Sequence, residues 1–441
     1  MSRWRGLWVV IVVLWLLAAC APAAPQTGSA APAAGESGDV VELEFWYIPF
    51  TLEEEGHAAQ IAEFEAANPD IKIKVVQVPY EEITQKVAAS VPVGKGPDII
   101  IPYYGWVPLW RQNGFLAPLP DGAFPPAEMK EKFVSGQDAM LFDGQYYGFP
   151  VAMNAWALFY NKDAFAEAGI ESPPTTWEEF RETAIKLTKR DDEGKLVRAG
   201  YYVDYDQQEH IVWKVLVEQF GQPMFDAENR HALWNESEIG YEAFEWFVNL
   251  ILVDKVTEWG WAESASTAFD TGLSAMNFGS TSWPTRLATN SPDLDYGIAP
   301  YLCGPAEDPA LACRNLGQYW AYSLTTKAAN DPVKLEAAVK FLQYLASPEG
   351  YTAYLDVHGG LPALKSQLED PKYAEDPLLS PFIATMNNAR AIPWVDELGE
   401  RDISMQMLER VVLNGENPRE VLDWGTEATN RLRDEFFAKE E

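Results

Sequence analysis

The spacing of apolar side chains divides the first part of the chain into strands and helices. Residues 41–47 and 72–78 alternate apolar with charged or polar side chains, which predicts two strands. Apolar positions in 58–64 and 80–91 recur at helical spacing, and residues 99–101 form a short apolar run typical of a third strand. Because helices between strands favour parallel pairing, this order predicts a parallel α/β sheet with helices on both faces.

A second α/β set follows Pro150. Residues 156–160 predict a strand, and several helices after it have recognisable ends. Capping boxes at Thr51–Glu54 and Thr176–Glu179 mark two helix starts. Three further helices are predicted at Ser237–Leu252, Pro332–Leu345 and Pro418–Phe437. Two such sets predict an α/β protein of two doubly wound lobes, whose ligand would bind in the cleft at the carboxyl ends of the strands.

The amino terminus has the features of a secretory signal. Two arginines precede an apolar run over 6–17, and small residues lead to Cys20. A cysteine in that position resembles the lipobox of bacterial lipoproteins, which implies a signal peptide 1–19, cleavage before Cys20 and a diacylglycerol on its sulfur. An ordinary signal or a single membrane helix is the alternative, although the run is short for a span. Residues 20–39 lack large apolar side chains, so we expect a flexible lipidated linker.

Composition excludes several classes of partner and of chemistry. A net charge of −33 opposes binding to nucleic acid and to anionic lipid surfaces, so membrane contact is expected only through the lipid. The sequence has no HExxH, GxSxG, P-loop or GxGxxG motif, and its four histidines are scattered. We therefore expect no cofactor, no metal and no enzymatic activity. Asp204-Tyr-Asp206 is interpreted as a solvated turn rather than a calcium site.

Cysteine usage predicts one disulfide. Cys303 and Cys313 flank a short loop that contains two prolines. In an oxidising compartment such a pair is expected to be bonded, and two free thiols are the alternative.

Aromatic side chains are unusually frequent, with 17 Trp, 19 Tyr and 21 Phe. Many of the tryptophans lie beside Gly, Pro or Asn in predicted loops. Aromatic rings at such positions suit a sugar, because a pyranose has an apolar face that a ring covers and a rim of hydroxyls that polar side chains bind. The excess of tryptophan therefore favours a carbohydrate ligand.

An ordered series of short motifs resembles a known family. The most specific part is Tyr160-Asn-Lys-Asp163 followed by Pro174-Thr-Thr-Trp177. The other matching stretches are Glu44–Trp46, Asn68-Pro69, Gly96–Ile99, Asp143–Pro150, Gly272–Met276, Tyr296–Pro300, Asp331-Pro332 and Ser347–Gly350. Together they resemble the extracellular solute-binding proteins of ABC importers, of the maltose-binding-protein type (family 1), over nearly all of the chain after Val40.

This resemblance implies two hinged lobes that close on a sugar. Chain crossings are expected near Val151, Pro300 and Ser323. The expected division is 40–151 plus 303–323 for lobe 1 and 152–302 plus 324–441 for lobe 2. The implied function is a monomeric lipoprotein on the extracytoplasmic (periplasmic or cell-surface) face of the cell membrane, which presents a neutral oligosaccharide to an ABC permease.

The candidate ligand-binding residues are aromatic side chains at predicted strand ends and crossings, with polar side chains near them. They are Trp46, Tyr47, Tyr103, Tyr104, Trp106, Asn154, Trp156, Asp204, Trp283, Arg286, Tyr319, Trp320, Trp394 and Asp396. Core packing is the alternative for each of them. Trp177, Trp213 and Trp246 lie on helical faces and are assigned to the core.

Two other functions stay open. The same fold could bind a peptide, a polyamine or a glycerophosphate-like solute, although few arginines lie in the predicted loops. A lipid-anchored glycosidase would also be secreted and rich in tryptophan, but it needs a pair of carboxylates flanking the bond. The segment Pro102–Trp106 lacks the acidic residue that many relatives carry there, which shifts this wall from hydrogen bonding toward stacking.

Overall fold

The computed structural model describes residues 40–50, 52–203 and 209–440. The predicted signal peptide, Cys20 with the linker 20–39, Thr51 and Asp204 lie outside these residues. Apart from those gaps, no helix after residue 39 has both the length and the apolar composition that a bilayer crossing needs.

Within the described residues, the strands form two larger sheets and two short ribbons. The strands are β1 Val41–Tyr47, β2 Ile71–Gln77, β3 Ile99–Ile100, β4 Leu116–Ala117, β5 Leu141–Phe142, β6 Gln145–Tyr146, β7 Phe149–Pro150, β8 Asn154–Asn161, β9 Lys189–Arg190, β10 Leu196–Arg198, β11 Met276–Ser280, β12 Tyr296–Pro300, β13 Asn315–Gln318, β14 Ala321–Thr325 and β15 Ala389–Arg390.

Helices cover the sheets and form the carboxyl-terminal part of the chain. They are α1 Glu53–Ala67, α2 Tyr80–Ser90, α3 Val107–Gln112, α4 Pro126–Lys132, α5 Lys162–Glu167, α6 Trp177–Leu187, α7 Glu209–Gln219, α8 Glu238–Leu252, α9 Ala265–Asp270, α10 Trp283–Asn290, α11 Pro309–Ala312, α12 Thr326–Ala329, α13 Pro332–Leu345, α14 Pro348–His358, α15 Lys365–Leu368, α16 Pro371–Ala374, α17 Ser380–Met386, α18 Glu397–Val412 and α19 Pro418–Phe437. Short 3-10 helices lie at Val91–Val93, Tyr104–Trp106 and Ser135–Met140.

The first sheet has the order β2-β1-β3-β14-β4, with β7 also paired to β14. Strand β1 pairs in parallel with both β2 and β3, which confirms the parallel arrangement that the strand–helix–strand pattern predicts. Strand β14 is antiparallel to β3 and β4. It enters this sheet directly from the second one rather than through a helical crossover, so the rule that favours parallel pairing does not apply to it.

The second sheet is built around β8. Strands β11, β12 and β13 all pair antiparallel to β8, and β15 pairs in parallel with β13. Residues 155–159 are buried without interruption because neighbours cover both faces of the strand. The predicted mixed α/β class with two sheets is therefore confirmed, and the second sheet is largely antiparallel.

The chain passes between the sheets at short connections. One lies at 151–153, between β7 and β8, where a crossing was expected. Another lies at Tyr319-Trp320, between β13 and β14. This crossing was expected near Ser323 but lies earlier in the chain, because Ser323 already pairs with Ile100 inside the first sheet. The expectation near Pro300 is wrong, because β12 and β13 both pair with β8 in the second sheet.

The packing of 303–358 also differs from the expected lobe boundaries. Strand β13, from the expected lobe 1, lies in the second sheet. Helix α13, from the expected lobe 2, packs on β1, and α14 packs on α1. For α12 and α13 the physical reason is the pairing of their lysines with Asp98, which is buried just before β3. Its carboxylate accepts a hydrogen bond from Glu44 N at 2.8 Å and forms ion pairs with Lys327 at 3.1 Å and Lys334 at 2.8 Å.

Two of the predicted end signals have different outcomes. The Thr176–Glu179 capping box is present, with Thr176 Oγ1 accepting from Glu179 N at 3.2 Å. Thr51 of the other predicted box lies outside the described residues; helix α1 begins at Glu53 after Leu52, which has a left-handed φ of 63° and makes no side-chain cap. Glu53 instead turns inward and accepts a hydrogen bond from Tyr354 Oη at 2.9 Å. The structure also joins Cys303 and Cys313 in a disulfide.

Replacing Asp98 with alanine should destabilise the fold, because it removes the carboxylate that pairs with two ammonium groups and accepts from the Glu44 backbone N–H. We expect a loss of about 2–3 kcal/mol in the free energy of unfolding, below the ~3–5 kcal/mol typical of fully buried pairs, since both lysines reach solvent. Urea denaturation measures this loss. The exposed Asp70→Ala is the control, with an expected change within about 0.5 kcal/mol. Equal stability of the two variants would contradict the anchoring role of Asp98.

Candidate functional site

An aromatic cluster forms where the loop after β3 meets the crossing between β13 and β14 and the segment before α18. Its members are Phe50, Tyr80, Tyr103, Tyr104, Trp106, Tyr319, Trp320 and Trp394, and we call this set the aromatic cluster. Trp320 lies at its centre, with ring centroids 5.2 Å from Phe50, 5.6 Å from Tyr103 and 5.5 Å from Trp106. Ring separations in this range give attractive edge-to-face or tilted contacts.

The loop 103–106 is held by a close approach of two chain segments. Tyr103 forms an isolated β-bridge with Trp320, so the loop is aligned with the crossing. A Cβ on Gly105 would lie 2.7 Å from Trp394 Cδ1 and 2.9 Å from Glu397 Cβ. Only glycine permits this contact, because any side chain there would displace Trp394 and Glu397.

The inner layer of the cluster is bonded as well as packed. Tyr104 stacks on Tyr319 at 5.0 Å. The Tyr104 hydroxyl accepts hydrogen bonds from Ile392 N and from Trp394 Nε1, both at 3.1 Å. The Tyr319 hydroxyl donates to Gly136 O at 3.0 Å. Burial raises the pKa of Tyr104 and of Tyr319 well above the usual range, so both hydroxyls stay protonated at neutral pH.

The outer layer of the cluster faces solvent. Phe50 is 43% exposed, and Tyr80, Tyr103 and Trp320 are each partly exposed. The predicted site residues Tyr104, Trp106, Tyr319 and Trp394 are buried beneath them. Of the sequence candidates in the cluster, only Tyr103 and Trp320 therefore present ring surface in this structure, and the others support them.

Polar side chains adjoin one edge of the outer layer. The Tyr103 hydroxyl donates to Gln318 Oε1 at 3.2 Å, and Gln318 pairs with Asn154 in the β8–β13 ladder. Asn154 Oδ1 accepts from Thr281 Oγ1 at 2.6 Å. The Gln318 Nε2 atom is shielded from solvent and donates to no described residue. A buried donor without an acceptor costs about 1–3 kcal/mol.

Buried charges support the opposite edge. Glu397 Oε2 accepts from Trp106 Nε1 at 3.1 Å, and burial raises the pKa of this carboxyl. Arg401 Nη1 lies 3.9 Å from Glu397 Oε1 and donates to the Tyr80 hydroxyl at 3.2 Å. Helix α18 therefore holds the inner ring of Trp106 through Glu397 and the outer ring of Tyr80 through Arg401.

Several sequence candidates lie away from the cluster. Trp46 and Tyr47 belong to the core around β1, where Trp46 Nε1 donates to Glu44 Oε1 at 2.6 Å. Trp156 is buried inside the second sheet. Asp396 caps helix α18 by accepting from Gly399 N at 3.1 Å. Trp46 and Tyr47 are successive residues of β1 and point to opposite faces, so this strand is covered on both sides, which its position in the sequence did not show.

Trp283 and Arg286 form a second group at the start of α10. The Trp283 ring packs 5.1 Å from Phe159 and 6.0 Å from Phe269, and the Arg286 guanidinium covers it at 4.6 Å. Arg286 is ion-paired with Asp270, and burial lowers its pKa. Trp283 is 8% exposed, so the structure places it in the second-sheet core rather than in the aromatic cluster.

A cavity of about 350 Å³ adjoins the inner layer. Its lining includes Gly136 and Ile392, whose backbones bond Tyr319 and Tyr104. Arg314 on its wall pairs with Glu218 at 2.6 and 3.1 Å. The described residues contain no group of three or more His, Cys, Asp or Glu arranged to hold a metal ion.

Sequence reasoning missed Phe50, Tyr80, Gln318, Glu397 and Arg401. The position of Phe50, three residues beyond β1, could have indicated it, because a loop aromatic at a strand end was already the criterion. Tyr80 was assigned to the apolar face of a helix. Gln318 and Glu397 lie one and three residues from the candidates Tyr319 and Trp394, but their bonds to Tyr103 and Trp106, like that of Arg401 to Tyr80, join segments about 200 to 300 residues apart, which no local signal shows.

Comparison with known proteins places the chain in a family. Residues 59–381 match the family described as bacterial extracellular solute-binding protein. The chain belongs to this family. A Brucella abortus (strain 2308) protein described as a binding protein is 26% identical to this solute-binding protein over 374 residues, covering 81% of this chain and 85% of the relative.

A second relative and a solved structure agree with the family and the fold. The maltotriose-binding protein of Pyrococcus abyssi (strain GE5 / Orsay) is 25% identical over 361 residues, covering 76% of this chain and 70% of the relative. The ABC transporter solute-binding protein of Thermotoga lettingae TMO, solved with alpha-D-tagatose, superposes with a TM-score of 0.76. It has 22% identity, covers 89% of this chain and is itself covered completely. These proteins bind solutes, and the superposition confirms the two-sheet fold.

Replacing Tyr104 with phenylalanine in this solute-binding protein should destabilise it, because Ile392 N and Trp394 Nε1 lose their shared acceptor. We expect the free energy of unfolding to fall by about 2–6 kcal/mol, since each of the two orphaned donors costs about 1–3 kcal/mol. Chemical denaturation followed by tryptophan emission measures the loss. Tyr147→Phe, outside the cluster, should change stability by less than about 1 kcal/mol. If Tyr104→Phe and Tyr147→Phe have the same free energy of unfolding, the hydrogen bonds to the Tyr104 hydroxyl do not stabilise the protein.

Proposed function

We propose that this protein binds a neutral oligosaccharide on the outer layer of the aromatic cluster and delivers it to the permease of an ABC importer. The observation that supports this most is the solvent-facing set of rings around Trp320. Phe50, Tyr80 and Tyr103 all lie within contact distance of that indole, and all four rings are partly exposed. Such a surface matches the apolar face of a pyranose.

The polar groups at the cluster suit a neutral ligand. Gln318 and Asn154 are amides, which bind hydroxyls in directed hydrogen bonds. Arg401, the cation at the Tyr80 edge of the cluster, is already engaged with Glu397 and the Tyr80 hydroxyl. A phosphate or carboxylate ligand would need a guanidinium or ammonium group of its own, so a neutral sugar fits better than a glycerophosphate.

The relatives support a carbohydrate. The Pyrococcus abyssi relative is a maltotriose-binding protein, and the Thermotoga lettingae structure contains alpha-D-tagatose. Both are solute-binding proteins rather than hydrolases, so we infer that this protein releases its sugar unaltered. Its two sheets, linked by the short crossings at 151–153 and 319–320, would form the two lobes that close on the ligand in a population shift.

A calorimetric panel of mono- and oligosaccharides tests the proposal. We expect at least one neutral oligosaccharide to bind, and Trp320→Ala to stay folded at the assay temperature but to bind about tenfold or more weakly, because one stacking ring contributes about 0.5–1.5 kcal/mol beyond the area that it buries. Trp424→Ala on α19 is the matched control and should bind like the wild type.

Three results would contradict the sugar proposal. One is binding only to peptides, polyamines or glycerophosphates in the same panel. Another is equal affinity in Trp320→Ala and the wild type. Release of shorter sugars from the oligosaccharide would instead indicate a glycosidase.

We also infer that the mature protein is a monomer anchored on the extracytoplasmic face of the membrane by a lipid on Cys20. The cysteine directly follows two small residues and an apolar run. Expression in bacteria with labelled palmitate should label the mature chain, and Cys20→Ala should remove the label. Equal labelling of the two chains, or none in the wild type, would exclude this anchor.

A further inference from the structure

Lys214 is a fully buried lysine, and none of the described residues accepts a hydrogen bond from its ammonium group. It lies on α7, and none of its side-chain surface is exposed. Its ammonium nitrogen is 4.7 Å from the ring of Trp394, 5.0 Å from that of Trp234 and 5.6 Å from that of Trp213. Burying an ammonium in this way is costly, so the position needs an explanation beyond packing.

Buried carboxylates on a neighbouring helix compensate the charge in part. Glu397 and Glu400 of α18 attract the ammonium, and Arg433 of α19 repels it. Arg433 is itself paired with Glu400 at 2.8 Å, and both side chains are fully buried. Burial outweighs the two attractions and lowers the pKa of Lys214 to about 8.

The same lysine contacts the aromatic cluster. One face of the Trp394 indole covers the ammonium, and the indole N–H is donated to the Tyr104 hydroxyl. Glu397, which the ammonium attracts, accepts the N–H of Trp106, and Trp106 contacts Trp320 at 5.5 Å. Lys214 therefore contacts the inner layer directly, at Trp394. It is linked to the partly exposed ring of Trp320 through Glu397 and Trp106.

We infer that Lys214 is a positioning residue of the ligand site, whose protonated side chain holds Trp394 and Glu397 against the loop 103–106, so that ligand binding weakens when the proton is lost. This inference rests on the function proposed above for the aromatic cluster. Loss of the proton removes the cation from the Trp394 face and leaves Glu397 with Arg401 as its remaining close cation. The electrostatic attraction that keeps the Glu397 carboxylate buried against Trp106 is then weaker.

The effect of pH on binding is opposite to its effect on folding. The pKa of Lys214 is about 8 in the folded protein against 10.5 for a free lysine. Between these values the unfolded chain binds more protons, so this group makes the fold more stable as pH rises. Ligand affinity should fall over the same interval. If Lys214 had a purely structural role, ligand affinity would not fall while the stability of the fold rises with pH.

Two substitutions and one control define the experiment. Lys214→Met keeps the length of the side chain and removes the charge, and Lys214→Arg keeps a charge that does not titrate. Lys186→Met, at an exposed position on α6, is the matched control. Titration calorimetry with maltotriose and intrinsic tryptophan emission without ligand are both followed between pH 6.5 and pH 9.5.

In the wild type and in Lys186→Met, we expect Kd for maltotriose to rise about tenfold for each pH unit above pH 8. Tryptophan emission should show a transition at the same pH, because the ammonium contacts three indoles. Lys214→Met should bind at least tenfold more weakly than the wild type at pH 7, with no dependence on pH and no transition. Lys214→Arg should bind without the loss above pH 8.

A Kd in the wild type that is constant between pH 7 and pH 9.5 would overturn the inference, and so would wild-type affinity in Lys214→Met at pH 7. A wild type that binds no maltotriose contradicts the proposed function for that sugar alone. Tryptophan emission then decides the role of Lys214: a transition near pH 8 that Lys214→Met lacks supports it, and its absence from the wild type refutes it.

Discussion

The contact between the loop 103–106 and the segment 392–397 is the constraint on which the site depends. Trp394 and Glu397 lie so close to the backbone of Gly105 that no side chain fits there. This contact turns the Tyr104 hydroxyl toward two buried donors and the Trp106 N–H toward a carboxylate. With the inner rings held in place, the outer rings can stay exposed without collapsing into the core.

Buried charges link distant parts of the chain throughout this fold. Asp98 holds two lysines of the 327–334 segment against the first sheet, and Arg433 joins α19 to Glu400 of α18. Lys214 lies beside that pair with no acceptor of its own among the described residues. Such groups destabilise a protein unless their partners stay in place, so they specify one arrangement of helices that apolar packing alone would leave less well defined.

The local elements could be predicted well from periodicity and end signals. The residues 41–47 form a strand as the alternation indicates, and Asp331 and Asn417 cap their helices as expected. The site could be predicted only in part. Tyr103 and Trp320, chosen as loop aromatics, lie partly exposed in the aromatic cluster, whereas Trp46 and Trp283 met the same criterion and lie in the core. Composition cannot tell a ring that faces solvent from one that packs inward.

The sequence by itself determined the α/β class, the aromatic excess, the acidic charge and the motifs of the family, because these depend on residues near one another along the chain. Only the tertiary structure decided which sheet receives β14, where the chain crosses and which rings meet at Trp320. Those outcomes depend on contacts such as Tyr103 with Gln318 and Trp106 with Glu397, which join residues more than 200 positions apart. No local pattern encodes such pairs, since their energy exists only once both segments are folded.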